Sequence, residues 1–493
     1  MLKRLFATHA IGSSADHGAA RAGEGTTSLK RVLTARHLIT LGIGAVIGAG
    51  IFVITGQAAA EHAGPALVLS FIVAGIACAL SALCYAEFAA MIPVSGGAYA
   101  YAYATLGEIV AWFIGWNLVL EYLFAVASVA AGWSGYFNEC LGIIGHWLHI
   151  SLALPAYLSQ APLTFVNGHH LETTGAWLNL PAVVIVTALT ALCYAGITQS
   201  SLVNSIIVSI KLLVIALFLI FSLRYINTAN WHPFIPPSQG PGQFGVGGIF
   251  RAAVLVFFSY IGFDAVSTAA GEARNPQRDL PIGILGSLVI CTVLYIAMSL
   301  TLTGIAPYLS LNTPQPVATA LEAHPELLWL RAIVSFGALA GLSSVILVML
   351  LGTSRIFFSM SQDGLLPRAM SKVHPRYRTP HVATLVGGLV AAVTAGLFPV
   401  SILGELVSMG TLLAFATVCI GVLVLRYTRP DLPRSFRVPA VWLVSSLGAL
   451  ICLYLFWQSF RANWPLMLGW TLAGMLIYAI YGYRHSRLQR APH

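Results

Sequence analysis

Twelve long apolar segments, one after another, constrain this chain more than any other feature of its sequence. They run at about 38–61, 66–91, 105–136, 179–199, 202–224, 246–271, 282–305, 329–358, 381–399, 402–427, 438–459 and 464–484. A helix needs roughly 20 apolar residues to cross a hydrocarbon core about 30 Å thick, and each segment is near or above that length. Inside lipid the backbone must satisfy its own hydrogen bonds, so each segment is expected to be helical. Composition points the same way. Hydrophobic residues make up 58% of the 493, and charged residues only 8%, where a soluble protein carries about 25%. Sixteen acidic and 25 basic side chains cannot cover a soluble globule of this size. A soluble enzyme, a disordered chain and a secreted disulfide scaffold are excluded, and the expected class is an all-α polytopic membrane protein.

The basic residues then orient it. With the N-terminus in the cytoplasm, only Arg224, Arg251, Arg331 and Arg461 fall on the outer side, and Lys211 lies inside the membrane. The other twenty, among them Lys3, Arg4, Arg21, Lys30, Arg31 and Arg490, fall on the inner side. Such a bias predicts both chain ends in the cytoplasm of a cell's inner, plasma membrane. It also explains the net charge of +9 without a nucleic-acid partner, since the bases are strung between apolar segments rather than clustered. Residues 1–37 and 485–493 read as tails, the first a flexible cytoplasmic one and no cleavable signal. The basic loop 360–380 reads as a topology anchor within reach of anionic lipid. The longest outer loop, 137–178, holds His146, His149, His169 and His170, read as solvated side chains rather than metal ligands. Seven scattered cysteines without a CxxC form neither a disulfide framework nor a zinc site. No phosphate-binding loop, dinucleotide fingerprint or hydrolase motif occurs, so neither a cofactor nor an enzyme is expected.

Two segments carry the marks of a break. The first reads LGIGAVIGAGIFVITG at 41–56, with Gly48-Ala49-Gly50 near mid-membrane. Glycine weakens a helix by about 1 kcal/mol relative to alanine, and lets the backbone unwind. Gly44 and Gly48 also fit a helix-packing groove, which is the plainer alternative. The sixth segment reads FFSYIGFDAVSTAAGE at 257–272, with Ser259, Gly262 and Asp264 at its centre. A carboxylate in lipid costs at least about 2.5–3.5 kcal/mol, so Asp264 must face protein or water. It is expected to cap a restarted half-helix. A broken helix exposes N–H groups where one half starts and C=O groups where the other ends. The first suits a carboxylate and the second an ammonium, so a pair of breaks suits a zwitterion such as an α-amino acid.

Among the further ionisable residues within apolar segments, three stand out. Lys211 sits in SIIVSIKLLVIALFLI, roughly 14 Å from the nearer membrane face at about 1.5 Å per residue. That is too deep for its stem to carry the amine to water. It is a candidate proton carrier or, alternatively, a charged strut between helices. Glu121, in GWNLVLEYLFAVASVA, is a candidate for contact with a cationic group or for a structural pairing. Glu87 lies near the inner end of the second segment and reads as structural or gate-related.

GIGAVIGAGIFVITG at 42–56, FFSYIGFDAVSTAAGEARNPQRDLPIGI at 257–284 and GTSRIFFSMSQDGLLP at 352–367 resemble the amino acid–polyamine–organocation superfamily, nearest its bacterial cationic amino acid transporter branch. The resemblance covers about residues 30–485. It implies the leucine-transporter fold: two inverted five-helix repeats at 38–224 and 246–427, two further helices at 438–484, and breaks in the first and sixth helices. It implies that Gly48, Ala49 and Gly50 bind the substrate carboxylate. The carbonyls of Val46, Ile47, Phe258, Ser259 and Ile261 would hold the ammonium, and the Phe258 ring would act as a gate. Lys211 matches the helix-five lysine of proton-coupled members, which stands where sodium-coupled relatives bind their ion. Ala49 departs from the Ser or Thr common at its position. Met349 in the eighth segment falls where the side-chain pocket should be and offers a guanidinium no partner, so the expected substrates are small neutral L-amino acids. The expected function is their proton-coupled uptake by alternating access. A cationic amino acid carrier, an exchanger and a non-transporting sensor are the alternatives, and the sequence leaves the oligomeric state open.

Overall fold

The computed structural model describes residues 33–92, 97–166, 170–196, 201–270 and 273–487. Expectations for the tail at 1–32, with Lys3, Arg4, Arg21, Lys30 and Arg31, for His169, for Gly271 and Glu272 of the GEARNP block, and for Arg490 lie outside the described residues.

Among the described residues, nine helical stretches are long and apolar enough to cross a membrane, and three shorter apolar helices accompany them. The chain opens with α1 (Ala35–Val46), an irregular helix α2 at 50–63, and α3 (Leu67–Met91) after a tight turn at Gly64–Ala66. A short helix, α4 (Gly97–Thr105), leads into α5 (Glu108–Leu148). Then come α6 (Leu180–Tyr194), α7 (Ser201–Ser222), α8 (Gly245–Phe257), the four-residue α9 (Ala265–Thr268) and α10 (Pro276–Ile305). The remainder is α11 (Pro316–Glu322), α12 (Leu328–Gln362), α13 (His381–Leu397), α14 (Val400–Thr428), α15 (Val441–Arg461) and α16 (Asn463–His485). A kink at Asn463, whose backbone leaves the helical region, separates the last two, and Pro465 follows it.

Two packed groups emerge. Helices α5, α6, α12 and α13 pack on one another, while α10 packs on α1 and α3 and α3 packs on α8. Helix α14 lies against α5, while α7 touches both α12 and α1. Many apolar side chains on the outside are exposed, such as Leu389 (67%), Val289 (62%) and Ile220 (62%). A surface of that kind is stable in lipid rather than in water.

The outer loop departs from expectation. Its first residues are helical, because α5 continues to Leu148 before His149, in the left-handed region, ends it with an N–H bond to Gly145 O. The extension is held by protein: Trp133 stacks on Phe137, and Arg331 at the start of α12 bonds Glu139 at 2.5 Å. Polar residues after position 136 hid this continuation in the sequence. Beyond it, β1 (Leu163–Val166) pairs antiparallel with β2 (His170–Thr173), so the chain is not wholly helical. All seven cysteines are buried and free, Cys140 included, inside α5.

Candidate functional site

The site lies where two interrupted helices meet. Helix α1 stops at Val46, and Ile47 is extended (φ −75°, ψ 99°) before the chain becomes helical again at Gly50. On the other side, α8 ends at Phe257, followed by a single tight turn at Phe258–Tyr260 and an extended Ile261 (ψ 134°). Gly262 then takes φ +118°, which side chains rarely adopt, and a Cβ there would lie 2.8 Å from the Ala45 carbonyl carbon. The two interruptions touch directly, since a Cβ on Gly50 would stand 2.4 Å from Ser259 Cα. Glycine at these positions is therefore a steric requirement of the crossing.

A narrow cavity occupies the junction. Val46, Gly48, Ala49, Gly50, Phe258, Ile261 and Met349 line it, with Ala45, Ala125, Val129 and Val345. None of these side chains carries a charge. Gly50, where the helix begins again, is itself part of the wall, and a helix start leaves N–H groups without an intrahelical partner. Ile47, Ser259 and Glu121 are absent from the wall. Val345, Val129 and Ala125 are contributed by α12 and α5 and carry no local sequence signal of such a role.

The carbonyls freed by the breaks do have partners. Lys211, 1% exposed, donates from Nζ to Gly44 O and Ile47 O, both at 2.9 Å. It thereby ties α7 to the end of α1. The fully buried Tyr295 of α10 places its hydroxyl 2.9 Å from Val46 O and 2.6 Å from Ser259 O, spanning both breaks. Phe258 O accepts the Ile261 N–H at 3.2 Å. Sequence reasoning missed Tyr295. The available signal was a hydroxyl at mid-segment in CTVLYIAMS, which must find a partner when buried.

The acidic residues separate into three settings. Asp264 precedes α9 but makes no capping bond to it. Instead Oδ1 accepts the Gly262 N–H at 3.2 Å and Oδ2 accepts the Tyr122 hydroxyl at 3.2 Å. It thus staples the turn to α5 rather than capping the half-helix, because the unusual φ of Gly262 turns that N–H back toward the carboxylate. Glu121 is fully buried, and neither carboxylate oxygen makes a hydrogen bond of ordinary geometry. Asp264 and Thr411 are its polar neighbours. Glu87 is far more firmly held. It accepts Arg426 Nη2 and the Val438 N–H, each at 2.7 Å, with the Arg434 guanidinium 3.2 Å away. That set fastens α3 to α14 and to the loop after it.

The profile of a family described as amino acid permease matches residues 33–482. The branched-chain amino acid permease of Bacillus subtilis is 45% identical over 470 residues, covering 95% of this chain and 97% of the relative. The methylthioribose transporter of the same organism is 46% identical over 463 residues, 94% and 96% of the two chains. A vacuolar cationic amino acid transporter of Arabidopsis thaliana is 40% identical over 408 residues, 83% of this chain and 65% of its own.

Proposed function

Because this chain belongs to the amino acid permease family, we propose that it is a secondary active transporter taking up small neutral L-amino acids with protons, by alternating access. The observation that carries this reading is the cavity. It lies between two backbone breaks, and its walls, including Val129, Val345 and Met349, are uncharged. Backbone at a break can bind both ends of a zwitterion, so the part common to every amino acid needs no charged side chain. An uncharged wall then favours an aliphatic side chain, because an unpaired buried charge costs several kcal/mol. The branched-chain permease among the relatives supports the same substrate class.

In this account Gly48, Ala49 and Gly50 receive the carboxylate. The carbonyls of Val46, Ile47, Phe258, Ser259 and Ile261 share the ammonium, and the Phe258 ring closes over the substrate. Several of these carbonyls already accept bonds from Lys211 and Tyr295, so substrate entry exchanges one set of donors for another. A protonated Lys211 holds Gly44 O and Ile47 O as a cation would, and loss of its proton weakens that hold. Proton release is thereby linked to movement of α1. The architecture we infer is twelve membrane passes, with two inverted five-helix repeats at 38–224 and 246–427 and two further helices at 438–484. Both chain ends face the cytoplasm, across the cell's inner membrane.

Glu121 favours one second reading. A buried carboxylate with no hydrogen bond of ordinary geometry could pair with a cationic side chain, and cationic amino acid transporters are among the relatives. Competition against labelled alanine in proteoliposomes decides between them. Leucine and valine should compete and arginine should not, while methylthioribose tests the ligand named for the other bacterial relative. Competition by arginine alone would replace the neutral reading with the cationic one.

A further inference from the structure

Away from the cavity, at the end of the molecule that carries the last described residues, two acidic side chains gather an unusual set of partners. Glu108 is the first residue of α5 and is fully buried. Its carboxylate accepts the hydroxyls of Tyr103 (3.2 Å), Tyr478 (2.9 Å) and Ser486. Asp363 follows α12. Its side chain accepts the Tyr99 hydroxyl at 2.8 Å, and its backbone carbonyl accepts the Arg487 N–H at 3.1 Å. The segment 486–487 therefore reaches the same two residues as the tyrosines of α4. Tyr99 and Tyr103 are one helical turn apart, both buried, with rings stacked at 5.8 Å.

Helix α4 also connects to the broken helix. Tyr101 meets Tyr85 edge-on at 6.2 Å, and Tyr85 meets Phe263, in the turn before α9, at 5.9 Å. Helices α5 and α12 belong to one packed group, whereas Tyr85 on α3 and Phe263 after α8 belong to the other. Helix α4 thus bridges, with Tyr99 and Tyr103 on one side and Tyr101 on the other, two groups that alternating access requires to move against each other.

We propose that Tyr99 and Tyr103 are positioning residues of the transport cycle. With Glu108, Asp363 and the segment 486–487 they form a clasp. The clasp holds α4 against the inner ends of α5 and α12, and it must open before the lower half of the broken helix, α9, can swing away. The argument is geometric. Hydroxyl bonds to carboxylates are strong enough to favour one state and weak enough to be broken in each cycle. Residues 486–487 preorganise both acids, so that α4 finds them in place. This inference rests on the transporter reading above.

The test uses full-length protein carrying Tyr99→Phe and Tyr103→Phe together, which keeps both rings and removes both hydroxyls. Ser486→Ala serves as a milder variant from the 486–487 side. Hydrogen exchange in nanodiscs should accelerate about tenfold at 97–105 and 261–270, the scale expected for losing two such bonds. In proteoliposomes the external KM for alanine should rise several-fold while the maximal rate changes by less than about twofold, since the outward-facing population shrinks. Trp133→Phe is the control. It removes an indole bond to Ser343 Oγ at 3.0 Å between α5 and α12, away from the clasp, and it should leave exchange at 97–105 unchanged. Wild-type exchange and KM in the tyrosine double variant would overturn the clasp. Equal acceleration in Trp133→Phe would overturn it too, by reducing the tyrosines to general packing. Absence of alanine uptake by the unaltered protein would instead count against the transporter reading, and the exchange measurement reads the clasp in either case.

Discussion

The junction of the two breaks and the α5–α12 frame are built on opposite principles. In the frame, helices of 41 and 35 residues run unbroken and satisfy their own backbone. At the junction the backbone gives up that self-sufficiency, and side chains from other helices take over. Lys211 holds Gly44 O and Ile47 O, Tyr295 holds Val46 O and Ser259 O, and Asp264 holds the Gly262 N–H. A bond within a helix is replaced only by unfolding, whereas a bond to a side chain can be handed to a substrate or lost with a proton. The contrast assigns rigidity to the frame and exchangeable contacts to the junction.

The sharpest way to break this comparison is Gly262→Ala. A Cβ 2.8 Å from Ala45 on a backbone at φ +118° adds strain to overlap, so the two breaks cannot meet. Uptake in proteoliposomes should fall by about 100-fold or more, or the protein should lose about 3 kcal/mol of stability in a thermal melt. Wild-type uptake would show that the crossing is not required. Next in size is Tyr295→Phe, which leaves the ring in place and takes the hydroxyl from two carbonyls. A reduction of about tenfold in kcat/KM for alanine, equivalent to roughly 1.4 kcal/mol, is expected in initial-rate kinetics.

Val345→Ala sharpens the account of the wall. The Val345 methyl Cγ2 would stand 3.0 Å from a Cβ on Gly48, so this side chain sets one limit of the cavity. Its truncation should shift competition toward bulkier apolar amino acids by about fivefold, the effect of one or two methylene-sized changes. The smallest effect belongs to the frame. Trp116→Phe breaks one of a reciprocal pair of indole bonds, to Trp470 O at 2.9 Å. It should cost about 1 kcal/mol in a thermal melt and leave the alanine KM unchanged. A change in KM there would erase the distinction between the two regions.

How much of this could be read in the sequence follows the same division. The glycines at 48, 50 and 262 mark the places where the helices depart from regularity, because chain conformation is a local property. Lys211 was visible as a charge at depth, and its partners on α1 could be anticipated from the break. Tyr295, Val345 and Val129 were not visible as site residues. Each is an ordinary apolar-segment residue until packing brings α5, α10 and α12 around the junction. Glu121 was legible as buried but not in its surroundings, since its polar neighbours Asp264 and Thr411 lie far away in the sequence. The extension of α5 beyond position 136 was hidden for a similar reason. Its support comes from Arg331, almost two hundred residues away, and not from its own composition.

Uptake of labelled alanine by purified protein in liposomes, with and without an inward proton gradient, tests the central claim most directly, with Lys211→Ala measured beside the unaltered chain. The account predicts uptake that the gradient drives, that a protonophore collapses, and that the lysine variant loses by about 100-fold, since two buried carbonyls are orphaned and the exchangeable proton is gone. Uptake indifferent to the gradient, and retained in Lys211→Ala, would contradict it and leave the lysine a strut between helices.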